Sequence, residues 1–390
     1  MSNQDLFRAS SVTDLLTTLS SKLPDKQNQK VFFVSGGAFA EPIIAQLRGL
    51  GIEVTVFDDF SPNPLYEDVV AGVESFKASQ ADLVVSLGGG SAIDTAKCIL
   101  LFSTVRSDGN RLKAKYGHPS TPHFAIPTTA GTGSEATTFA VVYYEDEKYS
   151  VDSPGALPTY VVLVPELLRG LPLYHKRATF LDALCQAIES LWSVNSTDES
   201  KKYARRALAA IMDNYQEYFV SDDDSITEIM LEAAYAAGQA INISKTTAAH
   251  AMSYQLSSLY GIAHGHAAAL CLPKVWRYMI NHVELCADPR GADYLDQIFS
   301  ELDDWFNCKD HNESIEWFEA LLEELNMYPP DSENPEDFAV LAGSVNAQRL
   351  ANNPIPLSDE VIDSLYRQII PEKDLHACQP QKKKKMTKRS

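Results

Sequence analysis

The stretch 81–97, ADLVVSLGGGSAIDTAK, passes from an apolar, β-branched segment through three glycines into a helical pattern. A buried strand followed by a tight turn and a helix start is the opening of a βα unit. Gly88, Gly89 and Gly90 let backbone approach a ligand closely, and unpaired N–H groups at a helix start carry roughly half a positive charge toward an anion. Phosphate suits such a place. Ser91 is the expected N-cap, with Asp94 three residues on in the position of a capping-box acid. The loop is not G-x-G-x-x-G, so a plain tight turn stays open beside phosphate binding.

The same alternation extends on both sides. VFFVSGG (31–37), VTVFDDF (54–60) and HFAIPTT (123–129) are further short apolar runs separated by helical patterns, which implies parallel strands with crossover helices. A second loop, IPTTAGTGSEAT, follows the last of these and gathers the hydroxyls of Thr128, Thr129, Thr132 and Ser134 around Gly131 and Gly133. Two such loops at carboxyl ends of strands favour a dinucleotide site. After YVVLVP (160–165) and Pro172 strand signals nearly vanish. Segments rich in Ala, Leu, Glu and Tyr then run from about Ala178 to Ile280 and from about Asp293 to Asn326, so the second half is expected to be helical. The expected organisation is an α/β part over residues 1–176, a helical part over 177–378 and a basic, disordered tail over 379–390. A cleft between the two parts is where a cofactor and a substrate would meet.

Composition narrows the function classes. The 390 residues are 45% hydrophobic and 22% charged, as in globular proteins with a real core. Fifty-two acids against 33 Lys and Arg give a net charge of −19, which repels a phosphate backbone and argues against nucleic acid as a partner. Lys382, Lys383, Lys384, Lys385, Lys388 and Arg389 make a run of like charge that reads as a solvated tail. The start, MSNQDLFRAS, lacks an apolar run, and nowhere do 18 consecutive apolar residues occur. Neither a signal peptide nor a membrane span is expected, and a cytoplasmic location follows. Cys98, Cys185, Cys271, Cys286, Cys308 and Cys378 show no C-x-x-C spacing and read as reduced packing thiols.

In the helical half, Asp182 and Gln186 are i and i+4 on one face, with Glu189 one turn further. His250 and Tyr254 share a face on another segment, and His264 and His266 follow a break near Gly261. A capped helix with a buried polar pair and a satisfied core histidine are the plain readings of these residues taken singly. Ahead of His250 stands INISKTTAAHA, whose Asn242, Ser244, Lys245, Thr246 and Thr247 would each cost roughly 1–3 kcal/mol to bury without partners. An anionic group on a substrate could supply them. Lys245 lies about 140° round a regular helix from His250, so its stem would have to reach around.

G-G-G-S-x-x-D-x-A-K at 88–97, P-T-T-A-G-T-G-S-E at 127–135, D-A-x-x-x-A-I-E at 182–189 and H-G-H-A at 264–267 together resemble the iron-containing (group III) alcohol dehydrogenase family. The resemblance implies a Rossmann-like N-terminal domain, an all-helical C-terminal domain and an active site in the cleft between them. It implies NAD or NADP in that cleft with one divalent metal, Fe2+ or Zn2+, beneath it. The implied cofactor-binding residues are Gly36, Gly37, Asn63, Gly88, Gly89, Gly90, Ser91, Asp94, Thr128, Thr129, Thr132, Ser134 and Lys148. Asp182, His250 and His264 match three of the family's four metal ligands, and Gln186 stands where the family usually has His.

Many relatives also carry a histidine at the place of Tyr254, so Tyr254 and His266 are both candidate proton donors, His266 only if it lies at a helix start or in a loop. Where the family frequently has an Asp after the first of these strands, Gly36 and Gly37 stand here, removing an obstacle to NADP; Asp58 and Asp59 could restore a preference for NAD. INISKTTAAHA with Gln186 and Tyr254 resembles a branch of the family that reduces phosphonoacetaldehyde to 2-hydroxyethylphosphonate, a step of phosphonate biosynthesis. On that reading Asn242, Lys245, Thr246 and Thr247 hold a small anionic aldehyde. A short uncharged aldehyde or alcohol, and a dehydroquinate-synthase-like lyase on the same two-domain plan, are the competing readings. A homodimer is common in the family.

Overall fold

The computed structural model describes residues 4–24, 28–105, 109–145, 147–332, 334, 336–345 and 347–370. The expected tail over 379–390 and Cys378 lie outside the described residues. The chain begins with β1 (Asp5–Arg8), α1 (Val12–Ser20), β2 (Lys30–Val34), α2 (Glu41–Gly49), β3 (Glu53–Phe57), α3 (Tyr66–Ser79), β4 (Leu83–Gly88), α4 (Gly90–Ser103) and β5 (His123–Pro127). A hairpin of β6 (Phe139–Tyr144) and β7 (Glu147–Asp152) precedes β8 (Tyr160–Leu163).

All pairings in the six-stranded sheet are parallel, in the order β1-β8-β5-β4-β2-β3. Side chains alternate across it. Val31, Phe33, Leu83 and Val85 pack with Leu15, Leu19, Ile43 and Leu47 of α1 and α2 on one face, while Phe32, Val34 and Val84 pack with Val69, Val73 and Ile99 of α3 and α4 on the other. Because both faces are covered, the central strands are mainly apolar, the signal read from the sequence. From β2 the chain steps outward to β3, and from β4 it steps the other way to β5 and β8. The order therefore reverses between β2 and β4, and the crevice beyond the carboxyl ends there is the ligand position of open α/β sheets.

From Leu173 onward the chain is helical: α5 (Leu173–Trp192), α6 (Asp198–Val220), α7 (Asp224–Ser244), α8 (Ala248–Tyr260), α9 (His264–Asn281), α10 (Ala292–Phe306), α11 (His311–Glu324), α12 (Asp337–Gly343), α13 (Ala347–Leu350) and α14 (Asp359–Ile369). Their core is one cluster built around Trp192, Trp276 and Phe299 and lined with alanines. No helix among the described residues is long and apolar enough to cross a membrane.

Two glycines set how closely the parts approach. Gly133 has φ of +60°, and a Cβ there would lie 2.5 Å from the Gly238 Cα, so the loop after β5 lies directly on α7. At Gly265 a Cβ would lie 2.0 Å from the Ala178 carbonyl oxygen and 2.7 Å from the Asp182 Cβ. The start of α9 thus rests against α5 at Asp182.

Candidate active site

Three helices converge on Asp182. It leaves α5, His250 leaves the first turn of α8, and His264 is the first residue of α9, after α8 stops at the left-handed Gly261 (φ +65°). One ligand atom from each of Asp182, His250 and His264 lies within 4.8 Å of the others. Gln186, one turn along α5, donates from Nε2 to Asp182 Oδ1 at 3.0 Å and to the Thr132 carbonyl at 3.2 Å. Its Oε1 is buried with no hydrogen bond among the described residues. A buried amide oxygen left over beside a carboxylate and two imidazoles fits a divalent cation, although it is a weaker donor to a transition metal than imidazole.

Glu189 completes the floor. Its Oε1 accepts from the Thr247 hydroxyl at 2.6 Å and the Thr247 amide at 3.1 Å, and its Oε2 accepts from His250 Nδ1. Burial opposes its ionisation, but the His250 charge and these hydrogen bonds hold the carboxyl below the ordinary glutamate value. With Nδ1 committed, His250 turns Nε2 toward Asp182 Oδ1, 3.2 Å away. This is the outer carboxylate that fixes the ring of a metal-binding histidine. Burial pushes His264 down to about 3, so it presents a neutral imidazole, the form that binds a cation.

The glycine loops meet this floor. A Cβ at Gly89 would touch Thr129 at 3.5 Å, and one at Gly90 would touch Thr132 at 3.0 Å. Thr128 N donates to the Gly88 carbonyl at 3.0 Å. Contacts therefore run from the start of α4 through Thr132 to Gln186. Asn63, Gly90, Ser91, Asp94, Thr132, Ser134 and Lys148 line the cleft together with Asp182, Gln186, His250 and His264. Gly36 and Gly37 follow β2 on the far side of the switch point, Gly36 beside the Phe60 ring.

Several expectations are corrected. The N-cap of α4 is Gly89, and Ser91, already inside the helix, gives its hydroxyl to the Pro62 carbonyl. Asp94 does not reach back to the helix start. It accepts from Ser134 Oγ and, at 2.9 Å, from Val141 N, while buried Lys97 bonds Ser134 Oγ at 3.0 Å, Thr137 Oγ1 at 2.9 Å and the Phe139 carbonyl at 2.9 Å. The D-x-A-K part of the motif thus fastens the loop after β5 and the hairpin to α4. Lys148, expected among the cofactor-binding residues, lines the same cleft as Gly90 and Ser91, its Nζ 3.1 Å from the Tyr254 ring centroid.

Of the expected substrate-binding residues only Thr246 faces the cleft. Asn242 accepts from the Thr138 amide at 2.9 Å, Lys245 pairs with Asp152 at 2.8 Å, and Thr247 is committed to Glu189 and Trp192. The chain turns at Lys245, whose φ is +58°, so the regular-helix geometry assumed from the sequence ends before His250. Of the two candidate proton donors, Tyr254 lines the cleft and stacks on His264 at 5.4 Å between centroids. His266 does not line it; its Nδ1 lies 3.2 Å from the Tyr174 hydroxyl.

Sequence reading missed Phe139, Tyr143 and Arg349, which also line the cleft. The aromatic and β-branched run FAVVYY carried a strand signal for the first two. Arg349, on the short α13, had none.

A parallel sheet with a glycine-loop crevice, joined to helices that gather a carboxylate, an amide and two imidazoles, defines a metal-dependent nicotinamide oxidoreductase. The sequence matches the family "Iron-containing alcohol dehydrogenase" over residues 10–165 and "Fe-containing alcohol dehydrogenase family, C-terminal" over 176–370. The chain belongs to the iron-containing alcohol dehydrogenase family, whose members are alcohol and aldehyde oxidoreductases using NAD(P) and a divalent metal. It is 32% identical over 349 residues to a phosphonoacetaldehyde reductase of Streptomyces viridochromogenes, covering 85% of this chain and 86% of that one. It is 31% identical over 337 residues to an alcohol dehydrogenase 4 of Schizosaccharomyces pombe, covering 82% and 76%. In fold it is similar to a sulfoacetaldehyde reductase from Bifidobacterium kashiwanohense in complex with NAD+, with a TM-score of 0.80, 24% identity and coverage of 95% and 98%.

Proposed function

We propose that the enzyme reduces phosphonoacetaldehyde to 2-hydroxyethylphosphonate with NADPH or NADH. The observation that carries the redox part is the contact from Gln186 Nε2 to the Thr132 carbonyl at 3.2 Å, which joins the second glycine loop to the candidate metal ligands. The substrate part rests on the phosphonoacetaldehyde reductase relative.

Residues 1–176 hold the dinucleotide, with Gly88, Gly89, Gly90, Thr129 and Thr132 at its phosphates. The helices from residue 177 hold the metal at Asp182, Gln186, His250 and His264. A bound divalent ion supplies Lewis-acid polarisation of a carbonyl oxygen, and the nicotinamide supplies hydride. The chain's own part is orientation and proton supply. Glu189 fixes the His250 ring, Tyr254 lies against His264, and its phenol is the proton donor that faces the cleft. Burial holds that phenol above the ordinary tyrosine value, so it keeps its proton until the product oxygen claims it.

Gly36 and Gly37 leave the turn after β2 without an acid, which suits a 2′-phosphate, so NADPH is accepted. The test is NADPH and NADH oxidation by metal-reconstituted enzyme with phosphonoacetaldehyde and with acetaldehyde. Higher kcat/KM for phosphonoacetaldehyde supports the reading; equal values, or rejection of NADPH, contradict the corresponding part.

A further inference from the structure

The second histidine of H-G-H-A does not line the cleft, yet the bonds around it lead back to the metal floor. Asp182 lies in the middle of α5, and Glu189 holds the start of α8 through the Thr247 amide. The start of α9 has no such support. His264 is its first residue, Ala263 is the N-cap, and no side chain caps the helix. Gly261 is exposed and Ile262 and Ala263 are half-buried. The first amides of a helix lack partners within it, so an uncapped first turn needs another hold.

Tyr174 supplies that hold. It leaves the first turn of α5, and its hydroxyl accepts from the Ala263 amide at 2.9 Å. The same hydroxyl lies 3.2 Å from His266 Nδ1. Having accepted from an amide, it keeps its own proton to donate, and the imidazole nitrogen is an acceptor within reach. His266 is buried, its ring edge to face with Tyr174 at 5.9 Å between centroids. One oxygen thus grips the chain on both sides of His264.

Tyr174, Ala178, Asp182 and Gln186 stand four apart on α5, so they share a face. The start of α9 runs along this face. It meets Tyr174 at Ala263 and His266, and Gly265 presses on Ala178 and Asp182. The His264 ring is steadied separately, with Ser253 Oγ 3.3 Å from its Nδ1 and Tyr254 stacked on it. Tyr174 holds the backbone.

We infer that Tyr174 and His266 are positioning residues, whose hydrogen bond fixes the first turn of α9 along α5 and so sets where His264 meets Asp182. The inference rests on the proposed metal site at Asp182, Gln186, His250 and His264. A ligand set ordered before the ion arrives binds it more tightly, because the cost of ordering is met in the metal-free protein.

The test titrates Co(II) into the metal-free full chain of wild type, Tyr174→Phe, His266→Leu and the double variant, with visible absorption of the bound ion reporting ligand geometry. Tyr174→Phe keeps the ring and removes only the hydroxyl, so the fold is retained. Affinity is expected to fall about 2- to 10-fold in each single variant, the worth of one net hydrogen bond, with a shifted absorption band. The double variant should match Tyr174→Phe, since both changes break the same link. In the metal-loaded enzyme kcat should fall while the KM for NADPH holds. Variants that unfold at lower temperature yet keep the wild-type Co(II) affinity and spectrum would make the pair a prop of the fold and overturn the inference, as would additive losses in the double variant. A wild type that binds no Co(II) removes the metal site itself; a wild type that binds one ion, with both single variants unchanged, removes the positioning role alone.

Discussion

The Glu189 carboxylate accepts the Nδ1 proton of His250, which leaves His250 Nε2 facing Asp182 at 3.2 Å. The same carboxylate binds the Thr247 amide and hydroxyl at the start of α8. One buried acid therefore fixes both the ring and the helix that carries it. Replacing it by Glu189→Gln keeps the shape and removes the charge. Affinity for Fe(II) or Zn(II), measured by titration of the apo-protein, is expected to fall about 10- to 100-fold. Unchanged affinity would show that Glu189 serves the fold alone.

Gln186→His tests the unusual fourth position. An imidazole there would add a third nitrogen donor to the Asp182, His250 and His264 group and raise affinity for transition metals. The variant should retain metal longer than wild type during dialysis against a chelator, and Gln186→Leu should lose it faster. Retention indifferent to both changes would remove Gln186 from the ligand set.

Gly265 is the point where α9 meets α5. A valine there would drive its side chain into the Ala178 carbonyl and Asp182, at an overpacking cost of about 1–3 kcal/mol. Thermal unfolding should shift downward, and metal affinity should fall with it as His264 is pushed from Asp182. An unaffected melting temperature would contradict this close approach.

His123 opens β5 in full burial, its Nε2 2.8 Å from Ser86 Oγ, and burial aided by the Lys97 charge pushes it down to about 3. The folded form thus keeps this imidazole neutral where the unfolded chain takes up a proton. Stability from this group is complete above pH 6.5 and is lost as pH falls, by about 1.4 kcal/mol per unit. Urea unfolding at pH 6.5 and pH 5 should show that slope, and His123→Gln should lack it. An equal slope in both proteins would contradict the assignment.

The central parallel strands were legible because they are buried on both faces and so read as mainly apolar runs at 31–34, 83–87 and 123–126, with only Ser86 and His123 polar. Asp182, His250 and His264 were legible through the motifs that resemble the iron-containing alcohol dehydrogenases, and the helix break ahead of His264 was marked by Gly261. What the sequence hid lies where regular geometry stops. Lys245 adopts φ of +58° and swings toward Asp152, so angular counting along a helix misplaced it. Asp94 sits at capping-box spacing yet serves Ser134 and Val141, because the glycine turn moved the cap to Gly89. Arg349 reaches the cleft from the far end of the chain, a contact that no local pattern encodes.

Metal-dependent turnover is the most direct test of the site. Reconstituted with Fe(II) or Zn(II), the full chain is predicted to bind one ion and to oxidise NADPH or NADH in the presence of phosphonoacetaldehyde, with both properties lost together in Asp182→Asn and in His264→Ala. Turnover that survives complete metal removal, or undiminished metal binding in those two variants, would contradict a cation held by Asp182, Gln186, His250 and His264.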